Sequence, residues 1–338
     1  MQRTLFLGRR GQSAVGNGAL VGAVLVRDGR ILAEGYHHGF GLAHAERDML
    51  GKFEQKIDST DTLYVNLEPC CHHGKQPPCT ELLLERGVRR VVYGMRDPDE
   101  RVAGKGIETL RSQGVEVIGP VLPELCARLN RGFVSVRTKG RPWITLKQAR
   151  TMDGRIARED GSPLKITSPA QDRWAHTHLR ARHDAILVGV QTIITDNPRL
   201  DCRFAESENP STKIDQYQPW RIILDPHLRI PLSAKVVSDA QRERTIVLSA
   251  KAGGPVDREL GARGVRVMHV PVWQGIYSWP HLWEALVTLR DGYQGCTSIL
   301  VEGGKRTGEV FRDAGMIDEE VILVGKIHGE SEREVDSR

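Results

Sequence analysis

Aromatic side chains are scarce in this 338-residue chain, at 5% of its positions. With so few rings, and no basic stripe interleaved with them, there is no stacking platform for a flipped nucleic-acid base. Charge of one sign is not in excess either. The 48 Lys and Arg against 43 Asp and Glu leave a formal net charge of +5. That falls short of a nucleic-acid footprint and suits a small anionic substrate. No apolar run is long enough to span a bilayer. The apolar part of the N-terminal MQRTLFLGRRGQ is too short for a signal peptide. The expectation is a soluble cytoplasmic protein with neither nucleic-acid nor membrane partners. Six cysteines (Cys70, Cys71, Cys79, Cys126, Cys202, Cys296) make no disulfide framework in a chain this long, and clustered thiols in a reducing compartment point to metal.

The length suits two domains of ordinary size, and the boundary is expected at 142/143. In residues 1–142, two apolar runs flank Asp28-Gly29, a hairpin signal. Strands near 62–67, 88–94 and 115–118 alternate with helices starting near His44, Thr80 and Ile107. Residues 120–142 read as a connector with one short helix around Glu124–Leu129. In residues 143–338, Ser168-Pro169 opens a helix that runs to about Arg182. Strands are expected at 143–147, 185–190, 221–224, 245–248, 265–270 and 298–301. Residues 206–219 read as a surface loop. Strands alternating with helices give an α/β layer architecture in both halves.

The densest chemistry lies in EPCCHHGKQPPC, Glu68–Cys79. A hydrolytic zinc site needs three protein ligands, an open position for water, and a carboxylate that is not a ligand. The pattern H-x-E followed by P-C…C is met by His44-Ala45-Glu46, Pro69-Cys70 and Cys79. His44 and Glu46 in the first turn of one helix diverge, one to the metal and one to its water. Cys79 at a helix start is favoured as a thiolate. A structural zinc on Cys70, Cys71, Cys79 and a loop histidine is the alternative, and it leaves Glu46 without a task.

The segments around these residues, with LNRGF (129–133), TMDGRIA (151–157) and LVEGG (300–304), resemble the bifunctional riboflavin-biosynthesis deaminase/reductase family over nearly the whole chain. The long loop EPC-x-HHGK-x-PPC carries the most specific part of that resemblance. It implies a cytidine-deaminase-like α/β/α sandwich followed by a dihydrofolate-reductase-like α/β domain. It implies deamination of 2,5-diamino-6-ribosylamino-4(3H)-pyrimidinone 5′-phosphate, then NADPH reduction of the ribosyl chain to ribityl. His44, Cys70 and Cys79 match the ligands of one Zn2+ per chain, Glu46 the proton shuttle, and His37, His72 and Lys75 substrate contacts. Cys71 and His73 match no task. Where the family has a base-contacting asparagine, this chain has Gly18, with Asn17 one residue early.

In the second half, the residues alone say less. Gly303-Gly304-Lys305 between a strand and a helix suits a cofactor phosphate and equally suits a tight connection. The resemblance implies substrate contacts at Arg180, Leu200, Arg203 and Glu302. It implies cofactor contacts at Thr192, Asp196, Gly304, Lys305, Arg306, Thr307 and Gly308, with Lys147 near the reacting centre. Pro163 and Lys165 replace a serine and a tryptophan of the family pattern. The charged tail GESEREVDSR stands where the family continues, so the second domain is expected to be shortened. The alternative is a deaminase whose degenerate second domain serves as a dimerisation scaffold. The resemblance also implies a homodimer or higher homo-oligomer.

Overall fold

The computed structural model describes all residues except 101, 156–164, 204–217, 291, 303 and 326–338. Pro163, Gly303, most of the 206–219 loop and the C-terminal tail therefore lie outside the described residues. The chain forms two compact units. One is Met1–Pro142 with Leu286–Thr297, and the other is Trp143–Ala285 with Ser298–Arg338. The sequence places residues 286–297 in the second half, yet they pack with the first. Asn17 explains part of this. Its backbone N–H donates to the Gln294 carbonyl at 2.9 Å, and its side-chain amide donates to the Val287 carbonyl at 3.1 Å.

The first unit is built on β1 (Gly22–Arg27), β2 (Arg30–Tyr36), β3 (Thr62–Val65), β4 (Arg90–Tyr93) and β5 (Glu116–Ile118), in the order β2-β1-β3-β4-β5. The β1–β2 hairpin turns through Asp28 and Gly29, both with positive φ, as a two-residue turn requires. β1 pairs antiparallel with β2 and β3, while β3, β4 and β5 run parallel. Helices Ala45–Gly51, Cys79–Glu85 and Lys105–Ser112 bury Met49, Leu50, Leu83, Ile107 and Leu110 against Leu25, Leu63, Val65 and Val91. The connector expected over 120–142 contains two helices, Pro123–Leu129 and Arg131–Lys139. The second is polar enough in sequence to hide its periodicity, and it buries Phe133 and Ser135.

The second unit has β6 (Trp143–Thr151), β7 (Ala185–Gly189), β8 (Trp220–Leu224), β9 (Thr245–Ser249), β10 (Arg266–His269), a small hairpin of β11 (Val272–Trp273) and β12 (Ile276–Tyr277), then β13 (Ser298–Val301) and β14 (Glu319–Gly325). The large sheet has the order β10-β9-β8-β7-β13-β6-β14, and every pairing in it is parallel. β7 and β13 are buried almost throughout, as parallel strands covered on both faces must be. The chain leaves β6, builds outward from β7 to β10, and returns to insert β13 between β7 and β6. The connections after β7 and β13 thus diverge at one end of the sheet, the usual place for a ligand crevice. The helix expected to reach Arg182 ends at His178, and a 3₁₀ turn spans Arg180–Arg182.

Candidate active sites

In the first unit, His44 is the N-cap of helix Ala45–Gly51, with an extended backbone. It precedes the first turn rather than lying in it. Glu46 is in that turn and is 3% exposed. The helix sits hard on β2, because Gly35 has no side chain: a Cβ there would lie 2.4 Å from the Met49 nitrogen. Cys79 opens the helix Cys79–Glu85. Ligand atoms of His44, Cys70 and Cys79 all lie within 4.8 Å of one another. His44 Nδ1 is 3.5 Å from Cys70 Sγ and 3.4 Å from Cys79 Sγ, and the Cys79 N–H donates to Cys70 Sγ at 3.3 Å.

The electrostatics are those of a nest for a cation. The hydrogen bond from Cys79 pulls the Cys70 thiol well down, while Cys79 is pushed up by the same contact and by burial. The hydrogen bond with Cys70 holds the His44 imidazole above its ordinary range. Burial, then the Cys70 sulfur, raises the Glu46 carboxyl. Among the described residues no cationic side chain forms an ion pair with Glu46. A soft divalent ion fits this donor set: one imidazole, two thiols and a buried carboxylate beside them.

The loop wall is held by a residue the sequence reading passed over. The Glu68 carboxylate accepts backbone N–H bonds from Asp97 at 3.2 Å, from Gly104 and Gly106 at 2.9 Å each, and from Ile107 at 3.4 Å. It thereby caps helix Lys105–Ser112, where an anion is favoured. The helix comes so close that a Cβ on Gly106 would be 2.0 Å from the Pro69 carbonyl oxygen. Pro69-Cys70 is thus braced from behind. Buried Asn66 and Asn130 likewise clamp the backbone of Leu20: both amides donate to its carbonyl, and Asn130 accepts its N–H. These partners are distant in sequence, and no local pattern announces them.

Of the other expected contacts, His37 is buried with its ring edge-on to His44, centroids 5.5 Å apart. Its Nδ1 is 3.4 Å from the Ala19 carbonyl, and its buried Nε2 has no hydrogen-bond partner. Burial keeps this ring below its ordinary pKa. It presents a neutral acceptor next to the three ligands. His72 and Lys75 are exposed, with the Lys75 ammonium 3.8 Å from the centroid of the Phe40 ring. His73 pairs at 3.8 Å with exposed Glu81. Asn17 gives its amide to Val287. The asparagine one residue before the family's base-contacting position is thus committed to a structural contact.

In the second unit, Lys147 on β6, Thr192 on helix Val190–Asp196, and Glu302 and Gly304 to Gly308 after β13 come to the divergent end of the sheet. Gly304, Lys305 and Arg306 are exposed at the start of helix Lys305–Asp313, while Gly308 is buried. A side chain added at Gly304 would meet nothing within 4 Å, so a cofactor phosphate has room there. Leu200 is buried with φ +53°, and Asp196 is exposed at its helix's last position. Arg180 is not a solvated guanidinium. It grips Glu302 with two bonds, of 2.8 and 2.7 Å, and donates to the Asp201 carbonyl at 2.8 Å. Burial alone would raise the Glu302 carboxyl, yet the Arg180 charge brings it down to about 2. Arg203 pairs with Asp201 at 3.1 Å. Lys165 is tied to Asp172.

Known proteins match both units. Residues 3–95 match the cytidine and deoxycytidylate deaminase zinc-binding region, and residues 142–336 match the RibD C-terminal domain. The riboflavin biosynthesis protein RibD of Aquifex aeolicus is 39% identical over 98% of this chain and 87% of its own length. That of Escherichia coli is 34% identical, over 96% and 86%. Solved structures also align along the chain. Acinetobacter baumannii RibD has a TM-score of 0.79 at 31% identity, covering 99% of this chain and 90% of its own. A Thermotoga maritima diaminohydroxyphosphoribosylaminopyrimidine deaminase/5-amino-6-(5-phosphoribosylamino)uracil reductase has a TM-score of 0.78 at 35% identity, covering 98% and 87%. With a deaminase-type unit, a RibD-type reductase unit and relatives matched nearly end to end, this chain belongs to the RibD family of riboflavin-biosynthesis proteins.

Proposed function

We propose that the chain performs both steps of its family: deamination of 2,5-diamino-6-ribosylamino-4(3H)-pyrimidinone 5′-phosphate in the first unit, and NADPH reduction of the ribosyl chain to ribityl in the second. The observation that carries the first step is the convergence of His44, Cys70 and Cys79 beside buried Glu46. These three residues would hold Zn2+, which when bound makes water nucleophilic at neutral pH. Glu46 carries the proton. Burial raises its carboxyl, so it can take a proton from water and hand it to the ring and then to departing ammonia. His37 would accept from the pyrimidine through Nε2, and Lys75, with His72, would meet the anionic end as a mobile charge.

NADPH supplies the hydride in the second step. Thr192, Asp196 and Gly304 to Gly308 would seat it, and Lys147 would lie near the reacting carbon. Arg180, Leu200, Arg203 and Glu302 would hold the phosphorylated substrate. No helix among the described residues is long and apolar enough to cross a membrane, and all six cysteines are free thiols. Both fit work in the cytoplasm on a small molecule. Ile322 and Val324 on β14 are 39% and 45% exposed, which favours a homo-oligomer. One pair of assays tests the whole. Glu46→Ala should keep one zinc per chain by metal analysis while ammonia release falls by about 10³-fold or more. Wild-type protein given the deaminated intermediate should oxidise NADPH. Ammonia release without NADPH turnover would leave only the deaminase.

A further inference from the structure

We propose that His176 is a positioning residue of the second unit, fixing Arg180 and Arg203 on one donor face for an anionic phosphate. This rests on the reading above that the two arginines meet the phosphorylated substrate. His176 lies on helix Pro169–His178, four residues before Arg180, and its ring is buried. Nδ1 accepts the backbone N–H of Arg203 at 3.1 Å. Nε2 faces Nη1 of Arg180 and Nη2 of Arg203, each at 3.4 Å. A guanidinium can only donate, so both arginines turn an N–H toward this one ring nitrogen, which gathers on one side the two charges an oxyanion needs.

The ring stays neutral at physiological pH. Burial, then the Arg180 and Arg203 charges, push it down to about 4, against the smaller pull of Glu302 and Asp201. A third cation would drive the two guanidinium groups apart, whereas a neutral imidazole can space them. The backbone around Arg203 is tied to the same helix. Cys202 Sγ donates to the His176 carbonyl at 3.2 Å, and the Cys202 backbone exchanges two 2.9 Å bonds with Gln218. The two arginines differ in what else restrains them. Arg180 has its two bonds to Glu302, while the Arg203 side chain is 48% exposed, pairs with Asp201 and takes its backbone position from this anchor.

The test uses the full chain and steady-state NADPH oxidation with the deaminated phosphorylated intermediate. His176→Phe removes both ring nitrogens. His176→Gln lacks an acceptor at the Nδ1 position and is the milder change. Both should raise KM about tenfold or more with kcat within about twofold and NADPH affinity unchanged. His176→Asn, whose Oδ1 can accept the Arg203 N–H, should bring KM back to within about threefold of wild type. A purely packing role would lower kcat and NADPH binding together, without rescue by asparagine. A KM within about twofold of wild type in His176→Gln overturns the proposal. Arg203→Ala separates the two layers. If it raises KM while His176→Gln does not, only the role of His176 falls. If neither moves KM, the arginine clamp itself is wrong.

Discussion

Each candidate site withdraws a glutamate from solvent, Glu46 in the first and Glu302 in the second, and the two are held in opposite states. Glu46 has two sulfurs and an imidazole around it, and burial lifts its carboxyl toward the neutral form. The Glu302 side chain is 10% exposed, and the fork of Arg180 closes on it and holds it down to about 2. The same side chain is therefore raised toward its neutral form in one unit and held as a fixed anion in the other. What decides is the partner, since desolvation acts alike on both. Among the described residues the first site sets no cationic ion pair against Glu46, whereas the second neutralises its carboxylate with its own arginine.

This contrast can be broken by one kind of substitution made in both places. Glu302→Gln should be the larger, costing about 3–5 kcal/mol of the second unit's stability, because it strands a buried guanidinium. Thermal unfolding of the pure protein checks it, and a loss under about 1 kcal/mol would mean the pair is solvated. Acid should sharpen the same point. Between pH 6.5 and about 4 the unfolded chain protonates His176 while the folded chain refuses it, so stability falls as pH drops through that window. Glu302, ordinarily at 4.5 and here at about 2, continues the loss from about pH 4.5 downward. His176→Asn should flatten the upper part of a melting-temperature profile and leave the lower part. Glu46→Gln is the smallest effect and has the opposite sign. In chelator-treated protein it should leave the first unit unchanged or up to about 1 kcal/mol more stable, since it removes a buried ionisable group. A clear destabilisation would show that the carboxylate is paired.

The convergence of His44, Cys70 and Cys79 was legible because its chemistry is concentrated. Few uses need a histidine, a glutamate and two cysteines at those spacings, and the residue types themselves restrict the answer. The strands and their alternation with helices were legible from apolar runs. Helix Val190–Asp196 was not, because its β-branched residues in VQTIITD read as the end of a strand and a turn. Helix Gln2–Arg9 hid behind the question of a leader peptide. Glu68 and the two clamping asparagines were invisible for a different reason: their partners are backbone groups tens of residues away, and nothing local distinguishes them from surface polar residues. His176 left a faint signal, a histidine four residues before an arginine on one helix face. The segment 286–297 gave none, for it joins the first unit through backbone carbonyls that any residue offers.

That last segment sets the order in which the protein can be made. A ribosome that has released residue 142 has not yet synthesised the piece that Asn17 grips. The first unit becomes whole only after residue 297 emerges. Until then the nascent deaminase half must wait with its Asn17 loop uncovered, and a gene fragment cut at Pro142 would be left in that unfinished state for good.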